Sequence, residues 1–180
     1  VFMRLDGHCK GLAVLVLLSL PLAALAQYNY TTNSPDTNTI TITGYTGPGG
    51  AVVIPSNIVG KTVTVIGNSA FRFCGNLTSV TIPGSVDLIG TYAFASCSNM
   101  TSVAIPESVT NVGAYAFGFC GSLTSVVIPD GVHDIYAFTF LGCTNLVNVT
   151  IGTGVTNIRD RAFWVCSSLT NVTIPDNVVM

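Results

Sequence analysis

From Val52 onward the apolar residues recur as blocks at a fixed interval. Phe71, Phe94, Phe117, Phe140 and Phe163 stand 23 residues apart, and Cys74, Cys97, Cys120, Cys143 and Cys166 follow them by three. Leu77, Met100, Leu123, Leu146 and Leu169 come next, then Val80, Val103, Val126, Val149 and Val172, then Ile82, Ile105, Ile128, Ile151 and Ile174. A repeat of this length marks stacked units, none of which buries its apolar face alone. Inside a unit, inward residues two apart (Val103, Ile105) predict a short strand. Pro106 ends it by removing a backbone donor. Val109 and Val112 point inward from an extended or irregular return segment. Ala93 and Phe94 lie four and three residues before Cys97, a spacing that predicts one turn of helix, capped by Asn68 in the first unit. The expected fold class is an α/β solenoid with 23-residue repeats, short parallel strands plus one short helical or 3₁₀ turn per repeat.

The ends and the irregular copies refine this picture. Arg4 and Lys10 precede an apolar run, Gly11 to Leu20, and Ala24-Leu25-Ala26 forms an A-x-A site, so residues 1–26 read as a secretory signal cut before Gln27. Ile40 and Ile42 predict a strand, and Gly44 to Gly50 are rich in turn residues, so residues 27–50 read as a lead-in and cap. Residues 51–180 read as the solenoid. Five extra residues between Ile54 and Ile66 predict a bulge over Ser56 to Thr64. In the fourth copy Thr139 replaces Ala, Tyr136 replaces Gly and Gly152 replaces Pro, with the interval kept. No polar cap is legible after Val178, which reads as a solenoid cut short, a piece of a longer protein.

The run Phe71-x-x-Cys74-x-x-Leu77-Thr78-Ser79-Val80-x-Ile82-Pro83, continued by Val86, Ile89-Gly90 and Ala93-Phe94, closely resembles the BspA-like class of leucine-rich repeats. The likeness covers about residues 51–178 over five consecutive copies. It implies a secreted or cell-surface protein with an adhesive role, and it brings no catalytic residues. The resemblance therefore implies a non-enzymatic exported module that binds protein or glycan ligands. The alternatives are a structural spacer or accessory domain within a larger secreted enzyme or surface protein, and an ice-binding surface on the column Thr78, Thr101, Thr124 and Thr170.

Charge and candidate chemistry narrow the partners. After the signal the chain holds four basic and seven acidic residues, too few cations for nucleic acid as a partner. No further apolar stretch is long enough to span a membrane in the mature chain. No cofactor or metal motif appears. The cysteine column lacks the C-x₂-C clusters of zinc sites and reads as buried free thiols, with pairing of stacked neighbours as the alternative. His133 and the acidic residues Glu107, Asp130 and Asp176 read as surface and turn residues. Five N-x-T sequons, at Asn29, Asn76, Asn99, Asn148 and Asn171, follow largely from the Asn/Thr preference of the repeat. The candidate binding surface is the outward side of the strands: Ser79, Thr81, Ser102, Ser125, Asn148, Thr150, Asn171 and Thr173. The patch of Arg159, Asp160, Arg161 and Trp164 is a second place for contacts.

Overall fold

The structure, a computed structural model, describes residues 27–179; the secretory signal read over residues 1–26 lies outside them. The lead-in supplies β1 (Tyr28–Thr32) and β2 (Thr39–Tyr45), an antiparallel pair. β3 (Gly50–Val53), β4 (Asn57–Ile58) and β5 (Lys61–Ile66) follow. The coils then alternate a longer and a shorter strand. The longer ones are β6 (Leu77–Thr81), β8 (Ser102–Ala104), β10 (Ser125–Ile128), β12 (Asn148–Ile151) and β14 (Asn171–Thr173). The shorter ones are β7 (Leu88–Ile89), β9 (Asn111–Val112), β11 (Asp134–Ile135) and β13 (Asn157–Ile158).

The pairings between coils are parallel, and from β6 and β7 onward they keep the register of the repeat, whereas β2–β5 and β3–β6 each carry a shift. Ser79 faces Ser102, and Ser125 faces Asn148, which faces Asn171. On the other side Ile89 faces Val112, Val112 faces Ile135 and Ile135 faces Ile158. The return segment is thus a second sheet, in the order β2-β5-β7-β9-β11-β13, with β1 outside β2 and β4 on β5. The longer strands form two sheets, β3-β6-β8 and β10-β12-β14. The five extra residues fold as a hairpin, Asn57 opposite Thr62 and Ile58 opposite Lys61. Val59 and Gly60 form its turn at φ 48° and 78°, the left-handed pair that two-residue hairpins require.

The expected helical or 3₁₀ turn is absent among the described residues, and the solenoid is all β. The hydrogen bonds give the reason. In the segment before each Cys, amides alternate between two partners. Ala70, Arg72 and Cys74 donate to the carbonyls three residues back, whereas Ser69, Phe71 and Phe73 donate across to Thr91, Ala93 and Ala95 of the next coil. Half of the amides a helix would use are therefore spent between coils. Left-handed residues at both ends of the segment (Ser69 and Phe73, then Tyr92 and Ser96) also interrupt any helical path. Asn68 correspondingly caps no turn of its own; its Oδ1 accepts the Thr91 amide at 2.9 Å.

The core is a column of rings. Tyr45 of the lead-in stacks on Phe71 at 5.0 Å, and Phe71 to Phe163 continue at 4.9 to 5.5 Å. Phe71, Phe94, Phe117 and Phe140 are buried, whereas Phe163 and Cys166 of the last coil are only partly covered. The fourth coil carries a local fault. Gly90 and Gly113 donate their amides to Ile66 and Ile89 at 2.7 and 2.8 Å, and a Cβ at Gly113 would sit 2.6 Å from the Thr91 nitrogen. Tyr136 occupies the equivalent place and forms no such amide bond among the described residues. A void of about 10 Å³ bordered by Val112, Ile135 and Thr139 lies nearby. Thr139, buried there, satisfies its hydroxyl on the Tyr136 carbonyl at 2.8 Å.

Candidate functional site

The polar strand face is positioned by alternation: Val80, Val126 and Val149 point into the core, so the residues flanking them point out. Thr81, Ser102, Ser125, Asn148, Thr150, Asn171 and Thr173 are exposed, and Ser79 is half-buried. Register brings them into two rows across the coils, interrupted by Ala104 and Val127. In the last two coils the rows become amide-rich. Asn171 Nδ2 donates to Asn148 Oδ1 at 2.8 Å. Asn148, Thr150, Thr170, Asn171 and Thr173 line a shallow depression of about 320 Å³. Along the neighbouring column, Thr101 and Thr124 donate their hydroxyls to the Thr78 and Thr101 carbonyls at 3.2 and 3.3 Å.

The turn edge carries a different surface. Tyr92, Tyr115 and Phe138 occupy one left-handed position of successive coils, at φ 58°, 57° and 63°. Their rings stack at 4.7 Å in both steps. Arg72 closes one end, its guanidinium 4.6 Å from the Phe73 ring and 4.7 Å from Tyr92. Arg161 closes the other, 5.8 Å from Phe138 and 5.1 Å from Trp164. Such contacts between a cation and a ring face are worth about 0.5–1 kcal/mol when exposed and more when desolvated. Phe73 and Trp164 at the ends are about half exposed, as are Phe119 and Val165. This edge was only partly foreseeable. Tyr92, Tyr115 and Phe138 recur at the repeat interval, but only in three copies and at a position outside the apolar consensus. The patch read around Trp164 divides: Arg161 and Trp164 join the ladder, whereas Arg159 turns to Asp134 at 2.7 Å.

The cysteine column lies behind this edge. The thiols of Cys97, Cys120, Cys143 and Cys166 donate to the carbonyls of Phe71, Phe94, Phe117 and Phe140 at 3.1 to 3.2 Å, each one coil back. These four are free, and stacked neighbours do not pair. Contact with the Cys97 side chain and burial hold the Cys120 thiol well above its usual pKa. Burial, then the charge of the thiols on either side, pushes Cys143 up strongly, and burial raises Cys166. Thiols held protonated under apolar cover are poor nucleophiles.

No group of three or more His, Cys, Asp or Glu side chains converges among the described residues. His133 is exposed, with Nδ1 3.0 Å from the Gly154 carbonyl. Asp130 works as a turn residue, accepting the Thr153 amide at 2.6 Å. No helix among the described residues is long and apolar enough to cross a membrane.

Comparison with known proteins agrees with this geometry. The BspA type leucine rich repeat region matches residues 64–180 in six copies. A leucine-rich repeat protein from T. pallidum is 31% identical over 84% of this chain and 81% of its own, with a TM-score of 0.68. A leucine-rich cell surface protein from Faecalibacterium prausnitzii is 31% identical with a TM-score of 0.71; the match covers 81% of this chain and 37% of that one. A leucine-rich repeat protein from Eubacterium ventriosum is 25% identical with a TM-score of 0.67, over 82% and 40% of the two chains. No curated protein matches the chain.

Proposed function

The chain belongs to the BspA-type leucine-rich repeat family, and from that premise we propose that it is a non-enzymatic, exported binding module whose polar strand face holds a protein or glycan ligand. The observation that carries this reading is the in-register row of exposed amides and hydroxyls on β12 and β14, where Asn148 and Asn171 are linked at 2.8 Å. Amides held by one another are oriented before a ligand arrives, which lowers the ordering cost of binding. Amide and hydroxyl groups offer donors and acceptors together, suited to the hydroxyls of a neutral glycan or the backbone of a protein. The cell-surface description of the F. prausnitzii protein supports an exported setting. A secretory signal at residues 1–26 belongs to the same reading.

The experiment is a screen of the purified protein against arrayed glycans and extracellular-matrix proteins, repeated with Asn148→Ala and Asn171→Ala combined. A specific partner should emerge and lose about tenfold or more in affinity with the variant. A partner bound equally by both proteins, or none across the panel, removes the strand face as the site.

A further inference from the structure

The turn edge is absorbed by neither the solenoid core nor the strand face. We propose that it is a second docking surface, built for an extended peptide that carries two carboxylates about six residues apart with apolar side chains between them. It uses none of the strand-face residues and goes beyond that reading.

Three observations converge. The first is charge. The chain is net negative, with few basic residues, yet two of its guanidiniums terminate this one ladder. Arg72 has a buried Nε without a hydrogen-bond partner, and among the described residues no carboxylate pairs with it. Among the described residues the carboxylate that meets Arg161 is that of its exposed neighbour Asp160 at 3.4 Å, a weak pairing in water. Ring stacking takes up the planar faces of both guanidiniums, burial closes the Nε side of Arg72 and Asp160 faces the Nε of Arg161, so the terminal Nη groups are what each offers a carboxylate.

The second observation decides the class of partner. Each inner ring of the ladder is covered on both faces, so what it presents outward is its edge, where the ring's partial positive charge lies. A sugar recognises an aromatic residue by laying C–H groups on the negative face, and those faces are occupied. A carboxylate is drawn to the edges instead. Half-exposed Phe119 and Val165 add apolar contact for side chains.

The third is length. Steps of 4.7, 4.7, 4.7 and 5.8 Å lead from Arg72 through Tyr92, Tyr115 and Phe138 to Arg161, a path of about 20 Å. An extended chain advances about 3.3 Å per residue, so carboxylates about six residues apart reach both guanidiniums from one face of the peptide.

The test titrates the purified protein into fluorescein-labelled peptides of about a dozen residues and follows anisotropy at low and at physiological salt. One peptide carries two glutamates about six residues apart with leucine and phenylalanine between them. A second has glutamines in their place, and a third brings the glutamates to half that separation. The first should bind about tenfold or more tightly than either of the others. Arg72→Gln with Arg161→Gln should erase that preference, and Arg72→Lys with Arg161→Lys should restore only part of it. Asn148→Ala with Asn171→Ala should leave it untouched, so the two surfaces fail separately. Equal binding of the three peptides, absence of binding, or displacement by a uronic-acid oligosaccharide at matched concentration overturns the proposal. The peptide comparison on the unaltered protein decides the matter even where an arginine variant does not fold.

Discussion

The strand face and the turn edge are generated by the same repeat, yet they differ in what each position is allowed to do. On the strand face the outward side chains stand clear of the backbone ladder, and Ser, Ala, Val, Asn and Thr succeed one another without changing the register. On the turn edge the ladder residues sit at left-handed φ and stack on one another, so each depends on its neighbours. The first surface varies from coil to coil without loss of register, with the Asn148–Asn171 link as its side-chain bond between coils. The second combines cohesion with display, and a change there registers in stability as well as in binding.

Four experiments break or sharpen this contrast. Phe117→Ala removes a ring stacked between Phe94 and Phe140 at 5.5 Å on each side, beneath both surfaces. A loss of about 3–5 kcal/mol in urea unfolding is expected, enough to abolish the distinction by separating the array into two halves. Alkaline pH acts next, through the buried thiols and, at still higher pH, through the buried lead-in phenols Tyr28 and Tyr45. The Cys120 and Cys143 thiols have raised pKa values when folded, so their contribution is fully present below the unfolded value near 8.5 and is lost as pH rises above it. The expected decline is up to about 1.4 kcal/mol per pH unit for each thiol. Cys120→Ala with Cys143→Ala should flatten the dependence of the unfolding midpoint on pH.

Tyr115→Ala cuts the surface ladder between its two neighbours and should cost about 1–2 kcal/mol, part of it recovered in a double-mutant cycle with Phe138. Thr150→Ala on the strand face should stay within about 0.5 kcal/mol in the same denaturation assay. If the two truncations cost the same, the contrast between the surfaces is lost.

Much of the fold was legible because the consensus positions are core positions. The interval of 23 in Phe, Cys, Leu, Val and Ile gives the stacking and the parallel register, and the five-residue excess is the hairpin β4–β5. The segment before each Cys was misread because its spacing fits a helical turn, whereas the choice of amide partner lies one coil away and leaves no mark in a single repeat. Asn68 shows the same thing: the residue type is a helix cap, but its acceptor serves the next coil. The turn edge escaped because its column is not apolar throughout: Ser69 opens it and Arg161 ends it. The strand-face candidates were readable from period-two alternation alone, although the amide link between Asn148 and Asn171 required the register.

Trp164 is the single tryptophan of the chain, and it lies in the last coil, half exposed and next to a guanidinium. Its emission therefore reports on the coil that holds Phe163 and Cys166. Tyrosine absorbance, with Tyr28, Tyr30, Tyr45, Tyr92 and Tyr115 in the lead-in and earlier coils and Tyr136 alone in the fourth, is weighted toward the other side. Heating followed at the two wavelengths should give noncoincident curves wherever the coils peel away from one extremity, so the molecule carries its own pair of optical markers for the direction in which it comes apart.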